Sequence, residues 1–287
     1  MAQNSTYAPI SVVIPARNEG RYIQQAIESV LQQTLPVAEI IVVADDCSDD
    51  TASIASKLSA KVVEINARSI SAARNAGIRK ASQPWIALLD ADDYWKPNKI
   101  QRQWQAVQRF PDAGVVSCDY YTILNGKIGH RSKKEIKARR ETLLCPVVTF
   151  RGGAYYPRVD GKVLRLFDVA PQAAMVRSDV FDTAGFFDEA FAYLQDIEFF
   201  ARALRNHPLV MIETPLVYRR LRPDSHSQNS EGKWSAYLAI VDRMLKHPQT
   251  YVPMAGEQYR DHIKMVFASN ERLLAAKKSG SANALGS

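Results

Sequence analysis

The sequence predicts an α/β fold, with an open, mostly parallel sheet and helices on both of its faces. The 287 residues are 46% hydrophobic, which is enough for a sizeable core. Between residues 10 and 120, short runs rich in Val and Ile alternate with segments of helical periodicity. The most polar segments, ARNEG, ADDCSDDT and DADDYW, each follow such an apolar run. Because parallel strands end at the same edge of a sheet, these segments are expected to converge on one ligand-binding edge.

The elements of this first part follow in order along the chain. Strands are predicted at ISVVIPA, EIIVVAD, KVVEIN, WIALLD and AGVVSCDYYTIL, and helices at EGRYIQQAIESVLQQ, DDTASIASKLSA, SAARNAGIRKA and NKIQRQWQAVQRF. In the first helix the apolar side chains recur at helical spacing: Ile23, Ala26, Ile27, Val30 and Leu31. In the last of these helices the equivalent stripe is Ile100, Trp104 and Val107. We see no internal repeat.

The second part of the chain is less regular. Residues 125–168 contain RGGAYYPRVDGK, whose Gly, Pro and Asp residues predict loops rather than a second compact domain. A strand, a short helix and a longer helix are predicted between Pro171 and Asn206, and the longer helix turns Ile197, Phe200, Ala201 and Leu204 inward. Two amphipathic helices are predicted in the tail, at residues 234–245 and 257–276, where core packing is favoured over membrane attachment.

Composition narrows the functional classes. No run approaches the length of about 20 apolar residues that spans a bilayer, and MAQNSTYAPI lacks the features of a signal peptide, so we expect a cytoplasmic protein whose mature chain begins here. The three cysteines are widely spaced, which argues against a disulfide framework or a zinc site. The net charge of +7 favours phosphate-bearing partners. It is not accompanied by a recognisable nucleic-acid-binding module, so no nucleic acid partner is expected. The basic run HRSKKEIKARR is interpreted as a solvated face or loop, or else as a membrane-facing or acidic-substrate patch.

The segment LLDADDYW places Asp90, Asp92 and Asp93 after an apolar strand. Like charges so close need a cation, a helix N-terminus or a wet surface. One interpretation is a site for Mg²⁺ or Mn²⁺, which bind through one or two carboxylates and substrate phosphates. The other is a helix cap with surface acids beside it. The motifs GxGxxG and GxxxxGK[ST] are absent from the sequence, so an ordinary dinucleotide site or P-loop is not predicted.

Five segments in order resemble the inverting family 2 glycosyltransferases, which have the GT-A (Rossmann-like) fold. They are SVVIPARNEGRYIQQAIESVLQQT, EIIVVADDCSDDT, NARSISAARNAGIRKA, WIALLDADDYWKPNKI and SDVFDTAGFFDEAFAYLQDIEFFARAL. The resemblance covers most of residues 10–220. It implies a GT-A domain at 1–225, with a nucleotide-sugar half at about 8–120 and an acceptor half at about 121–225, followed by a C-terminal helical extension at 226–287.

The resemblance also implies roles for residues that would bind the nucleotide sugar. The wall around the base and ribose would be Pro15, Ala16, Arg17 and Glu19. Asp45, with Asp46 behind it, would hydrogen-bond the base, and the cleft would be lined by Arg74 and Asn75 with help from Arg68. For each of these residues, helix capping or a surface charge is the alternative interpretation, and for Arg17 and Arg68 the two interpretations are equally weighted. A basic loop at VYRRLRPDSHSQ would close over the diphosphate through Arg219, Arg220, Arg222 or His226. For each of these residues, a place in a solvated loop is the equally weighted alternative.

The segment DADD matches the DXD element of that family. Asp92 would be the direct ligand of Mn²⁺ or Mg²⁺, with Asp90 and Asp93 supporting through ribose, sugar or water, and Ala91 would belong to the same donor-binding element. Asp196 in YLQDIEFF would be the base that deprotonates the acceptor hydroxyl, and it also suits the first turn of a helix. This chain has Gln195 where the family usually has Glu. The missing negative charge is expected to lower the pKa of Asp196 relative to a Glu-Asp pair.

These resemblances imply a metal-dependent enzyme that transfers a sugar, with inversion, from a nucleotide diphosphate donor to a hydroxyl. UDP is the expected nucleotide, with GDP or dTDP possible. The expected acceptor is a saccharide or a lipid-linked glycan of bacterial surface polysaccharide or glycolipid synthesis, with peripheral membrane contact possible. The alternative is a nucleotide-sugar-binding or scaffold protein without turnover. The donor sugar, the linkage and the oligomeric state are not predicted.

Overall fold

The computed structural model of the chain describes residues 7–129, 147–151, 154–158, 169–222 and 230–251. Its strands form one mixed sheet of 11 strands. They are β1 (Ala8–Ala16), β2 (Val37–Asp45), β3 (Lys61–Ile65), β4 (Trp85–Leu88), β5 (Tyr94–Trp95), β6 (Val115–Leu124), β7 (Lys127–Gly129), β8 (Val147–Arg151), β9 (Ala154–Arg158), β10 (Ala174–Arg177) and β11 (Leu209–Leu221).

Helices cover both faces of this sheet. They are α1 (Ile23–Leu31), α2 (Thr51–Lys57), α3 (Ile70–Lys80), α4 (Lys99–Arg109), α5 (Ser178–Ala184), α6 (Gln195–Asn206), α7 (Ser230–Lys246) and α8 (Pro248–Tyr251), with a 3₁₀ turn at Pro171–Ala173. The predicted α/β fold and the order of its first nine elements are therefore confirmed.

The sheet order explains where a ligand could bind. Its main path is β3-β2-β1-β4-β10-β6-β11-β8-β9, in which the first four strands pair in parallel and β10 is antiparallel to both of its neighbours. The strand order reverses at β1, because β2 lies on one side of it and β4 on the other. Open α/β sheets bind ligands at such a reversal, outside the carboxyl ends of the strands.

Two apolar layers pack on the two faces of the sheet. Helix α1 contributes four of the five predicted residues to one layer, whereas Leu31 is 52% exposed because it lies at the last turn of the helix. On the other face, Gly77 of α3 lies so close to β1 and β2 that a Cβ atom there would be 2.4 Å from Cγ1 of Val13. In α6, Phe199 is buried and Ile197 is only partly buried, so the predicted inward stripe is shifted toward the phenylalanines.

Strands also lie where the sequence predicted loops. The hairpin of β8 and β9 falls within the segment that we expected to be irregular, and β8 pairs with β11. The basic segment that starts at Val217 was predicted to be a closing loop, but Arg219 and Arg220 lie on β11, paired with β6. The long β11 is stabilised by pairing with neighbours on both sides, and that non-local contact leaves no local pattern in the sequence.

The described part of the tail packs against the domain. The first predicted tail helix is confirmed as α7, and Ile240, Met244 and Tyr251 are buried in the same apolar layer as Phe199. This packing is the arrangement that we favoured over membrane attachment. Within the described ranges, every helix is too short or too polar to cross a bilayer. The basic run at 130–140, His226 and the second predicted tail helix lie outside the described residues.

Candidate active site

The loops that follow β1 and β2 meet at the carboxyl edge of the sheet. The N–H groups of Glu19 and Gly20 donate to Thr51 Oγ1 and Asp49 Oδ2, both at 2.8 Å. The pairing of β1 with β4 ends at Val13, so the crevice of this fold, outside the carboxyl ends of the two strands, begins there. The polar segments that follow these strands thus converge as expected.

The end of β1 forms one wall of this crevice. Pro15 and Ala16 are buried and pair with Val43 and Ala44 of β2. Proline is tolerated in this central strand because it lies past the last residue paired with β4. The side chain of Arg17 follows, 48% exposed, with its Nη2 3.6 Å from Asp46 Oδ2.

Asp45 is buried and holds the loop between β3 and α3. The N–H groups of Ala67 and Arg68 donate to its Oδ1 at 2.7 and 2.8 Å, and that of Ser69 donates to Oδ2 at 2.7 Å. Arg68 has a φ of 52°, a conformation that residues other than glycine adopt rarely. The carboxylate therefore shapes this loop, a role that the sequence did not predict, and the contact of Asp45 with a base stays a prediction.

Asp46 lies on the solvent side of the same loop. Its Oδ2 is 2.6 Å from Nε of Arg68, whose side chain is 66% exposed, and it also pairs with Arg17. Exposed ion pairs of this kind contribute little to stability. The cost of turning either arginine toward an anionic ligand is correspondingly small.

Arg74 is buried beneath the DADD segment. Its Nη2 donates to Asp90 Oδ1 at 2.8 Å, and its guanidinium lies 5.4 Å from the ring centroid of Phe187. Within the described ranges, Nε and Nη1 of Arg74 have no hydrogen-bond partner. Buried N–H groups are normally paired, and each one left unpaired is costly. The arrangement would thus be completed by a polar ligand.

Asn75 connects α3 to the segment between α5 and α6. Its Nδ2 donates to the carbonyl oxygen of Phe187 and to Glu189 Oε1, both at 2.8 Å, and its Oδ1 accepts from the N–H of Phe187 at 3.0 Å. Its side chain is buried. These bonds show a linking role for the amide, and the lining of the nucleotide cleft by Asn75 stays a prediction.

Asp92 carries an unusual charge environment. Its Oδ2 lies 3.2 Å from Nε of Arg222, whose two Nη atoms hydrogen-bond the carboxylate of Glu19 at 2.8 and 3.0 Å. Burial and the charge of Asp90 raise the pKa of Asp92 to about 6, with a further contribution from Glu19, although Arg222 acts in the opposite direction. Negative charge therefore exceeds positive charge at this carboxylate.

Asp93 fastens the DADD segment to β11. Its Oδ1 accepts a hydrogen bond from the N–H of Arg220 at 2.8 Å. Burial, together with the charges of Asp92 and Asp90, raises the pKa of Asp93 well above its usual range. This contact anchors the segment to β11, and the supporting role of Asp93 toward a ligand stays a prediction.

Arg220 lies between two tyrosine rings beside the same segment. Its guanidinium is 5.0 Å from the ring centroids of both Tyr22 and Tyr94, and it donates to the carbonyl oxygen of Asp92. Tyr94 stacks in turn on Tyr218 of β11, with centroids 4.7 Å apart. A cation held between aromatic faces is both stabilised and oriented.

Asp196 lies in the first turn of α6 and is partly exposed. The residue before the helix, Leu194, has a φ of 56°, which is rare for a leucine and costs backbone strain. Gln195 is buried at the first helical position. The positive end of a helix dipole favours a carboxylate at this position.

Helix α6 and the loop before it are braced by charged residues that the sequence analysis did not single out. Arg202 hydrogen-bonds both carboxylate oxygens of Glu198, and the hydroxyl of Tyr251 donates to Glu198 Oε1 at 2.8 Å. Arg243 of α7 pairs with Asp188 in the loop before α6. The spacing of Glu198 and Arg202 by four residues was a detectable signal, whereas the contacts of the tail are non-local and left none.

The chemistry of the DADD carboxylates fits a hard divalent cation. The side chains of Asp90 and Asp92 are 27% and 19% exposed and offer oxygen ligands, which Mg²⁺ and Mn²⁺ prefer. In the part of the chain that the structure describes, no cluster of three or more His, Cys, Asp or Glu residues could hold a metal alone. These residues fit a site that substrate phosphates would complete.

The site thus consists of an open α/β sheet with acids at the edge after its fourth strand. The model of the family named Glycosyl transferase family 2 matches residues 11–184, and the chain belongs to this family. An uncharacterised glycosyltransferase of Rickettsia typhi is 25% identical over 287 residues, which cover 94% of this chain and 83% of that protein.

Solved structures support the fold. S. aureus TarS 1-349 in complex with UDP-GlcNAc matches with a TM-score of 0.68 at 18% identity, over 96% of this chain and 76% of that one. The mannosyltransferase PcManGT from Pyrobaculum calidifontis, in complex with GDP-Man and Mn²⁺, matches with a TM-score of 0.67 at 15% identity, over 98% and 76% of the two chains. The predicted GT-A fold is confirmed.

Two adjacent aspartates provide a matched test of loop anchoring. We expect Asp45→Asn to lower the free energy of unfolding by roughly 2 kcal/mol. The amide would place an NH₂ donor against backbone N–H groups that donate hydrogen bonds to the carboxylate. Asp46→Asn should change it by less than about 0.5 kcal/mol, because its ion pairs are exposed. Urea denaturation measures both, and equal effects of the two substitutions would refute the assignment.

The pKa of Asp92 predicts a pH-dependent effect of its removal. An acid whose pKa is raised on folding binds its proton more tightly in the native state, so between about pH 4 and pH 6 the native state loses stability as the pH rises. The free energy of unfolding of Asp92→Asn, relative to that of the wild type, should therefore rise by about 2 to 3 kcal/mol as the pH is raised from 4 to 7. Denaturation in the presence of EDTA tests this, and a difference that does not vary with pH would contradict it.

Proposed function

We propose that the protein is an inverting glycosyltransferase that moves a sugar from a nucleotide diphosphate donor to an acceptor hydroxyl. The observation that carries this proposal is the crevice between β1 and β4, where loops after three strands bring arginines and carboxylates together. Family membership supports sugar transfer as the reaction class.

The chain's own residues would bind the donor in distinct ways. Pro15 and Ala16 would flank the base, with Arg17 and Glu19 near the ribose, while Asp45 would keep the loop at Arg68 in position. Arg68 and Arg17 are exposed and so could approach phosphate oxygens at little cost. UDP is the nucleotide that we propose, since TarS has been solved in complex with UDP and UDP-GlcNAc. GDP remains an alternative, because PcManGT is in complex with GDP-Man.

We further propose that Asp92, assisted by Asp90, holds Mn²⁺ or Mg²⁺. When bound, such an ion would neutralise the charge that develops on the diphosphate leaving group. Arg220 would add positive charge on the same side, because Tyr22 and Tyr94 orient its guanidinium next to Asp92. Nε and Nη1 of Arg74, which have no hydrogen-bond partner among the described residues, support a polar ligand nearby.

Asp196 is the proposed base. Inversion requires the acceptor hydroxyl to attack the sugar from the side opposite the leaving diphosphate, and a partly exposed carboxylate can accept the proton of that hydroxyl. The acceptor half that carries Asp196 is held to the nucleotide half by Asn75 and to the tail by Arg243. These contacts would hold Asp196 at a fixed position relative to the bound nucleotide sugar.

The proposed acceptor is a saccharide or a lipid-linked glycan in bacterial surface polysaccharide or glycolipid synthesis, and the proposed location is cytoplasmic with possible peripheral membrane contact. The competing candidate is a nucleotide-sugar-binding scaffold, which Gln195 in place of the usual Glu motivates. The retention of Asp196 in a partly exposed position favours the enzyme.

A donor screen tests the proposal. UDP-, GDP- and dTDP-sugars are offered with and without Mn²⁺ or Mg²⁺, and both binding and donor hydrolysis are measured. We expect one donor to bind only with metal, and Asp92→Ala to lose that binding. Asp196→Ala should retain binding but lose turnover by about a hundredfold or more.

The control is Asp182→Ala, which removes an exposed carboxylate of α5 and should match the wild type in both assays. Donor binding without any turnover in the wild type, or binding that ignores both metal and Asp92, would favour the scaffold. If no nucleotide sugar binds, the transferase proposal fails.

A further inference from the structure

Arg222 joins two carboxylates from different loops of the crevice. Its Nη1 and Nη2 hydrogen-bond Glu19, in the loop after β1, and its Nε lies 3.2 Å from Asp92, in the loop after β4. The three side chains are only 15% to 21% exposed. A bidentate guanidinium pair in such a partly buried site is among the stronger polar contacts of a protein.

The position of Arg222 conflicts with a second cation at Asp92. A divalent cation bound by Oδ2 of Asp92 would lie within a few ångströms of the guanidinium, and like charges at that separation repel strongly where water is scarce. The two cations would also share one acceptor oxygen. Occupation of Asp92 by Arg222 and by a metal ion is therefore close to mutually exclusive.

We propose that Arg222 is an internal counter-ion that neutralises Asp92 when no nucleotide is bound and must leave it when a divalent cation binds. This inference rests on the proposed metal-dependent function. It predicts that the nucleotide-free protein binds bare metal weakly, because the ion must first displace a guanidinium held by two carboxylates.

The diphosphate of the donor offers the displaced guanidinium of Arg222 a new anionic partner in the complex. A guanidinium released from Asp92 can pair with phosphate oxygens through the same planar set of N–H donors. Metal and nucleotide would then bind cooperatively. The metal ion replaces Arg222 as the partner of Asp92, and the diphosphate replaces Asp92 as the partner of Arg222. This coupling would prevent the carboxylates from holding a metal ion without a donor.

The neighbouring arginine provides a matched control. Arg219 lies three positions earlier, and its Nη1 donates to the hydroxyl of Tyr120 at 3.3 Å. Arg219→Gln removes the same formal charge as Arg222→Gln without removing the link between Glu19 and Asp92. A gain in metal affinity that comes from the contact, rather than from net charge, should be confined to Arg222.

The experiment is a titration of the nucleotide-free full chain with Mn²⁺, in which electron paramagnetic resonance reports free Mn²⁺. We expect Arg222→Gln to bind Mn²⁺ about fivefold or more tightly than the wild type, and Arg219→Gln to stay within about twofold. Adding Asp92→Asn to Arg222→Gln should abolish the gain. With UDP present, the advantage of Arg222→Gln should shrink or reverse.

Unchanged or weaker binding in Arg222→Gln would overturn the proposal, as would a gain that survives Asp92→Asn. Arg222→Lys, which keeps a charge but cannot bridge both carboxylates, should be intermediate and provides the test if the Gln variant does not fold. Failure of the proposed function is distinguished by nucleotide binding. If that function is wrong, UDP does not bind, whether or not Arg222→Gln gains affinity for Mn²⁺. Metal-dependent UDP binding without that gain would overturn the counter-ion role alone.

Discussion

Electrostatic repulsion among carboxylates at one edge of the sheet is the constraint on which the rest of the site depends. Asp45, Asp90, Asp92 and Asp93 all follow strands that end in the same crevice. Each has a partner from a different part of the chain: backbone N–H groups at 67–69 for Asp45, Arg74 for Asp90, Arg222 for Asp92 and the N–H of Arg220 for Asp93. These hydrogen bonds and ion pairs between carboxylates and donors of other segments hold the loops together.

The same constraint separates supporting residues from those that could bind a ligand. Asp45 and Asp93 are almost fully buried and are occupied by backbone donors, so they shape the loops. Asp92 has a raised pKa and only a guanidinium to offset its neighbours, so it is the carboxylate that gains most from an added cation. The strain at Arg68 lies in the loop that Asp45 holds, and favourable contacts elsewhere in the chain must compensate for it.

The sequence was sufficient for features with a local pattern. The alternating strands and helices of residues 10–120 follow from periodicity, and the resemblance located the acids after β2 and β4. The sequence was insufficient where a partner is distant: β11 needed β6 and β8, Asn75 needed Phe187, and the pairing of Arg222 with Glu19 spans 203 positions. Leu31 was misplaced because a helical stripe does not reveal at which residue the buried part of the helix ends. The metal and the base stay predictions, since neither depends on a contact that a ligand-free chain makes.

The most direct test of the central claim is a crystal structure of the protein with UDP and Mn²⁺, with anomalous diffraction recorded at the manganese edge. The account predicts one anomalous peak within ligand distance of Asp92 and the diphosphate, the uracil next to Pro15 and Arg17, and the guanidinium of Arg222 moved away from Asp92. A nucleotide bound outside the crevice between β1 and β4, or a manganese peak remote from Asp92, would contradict it.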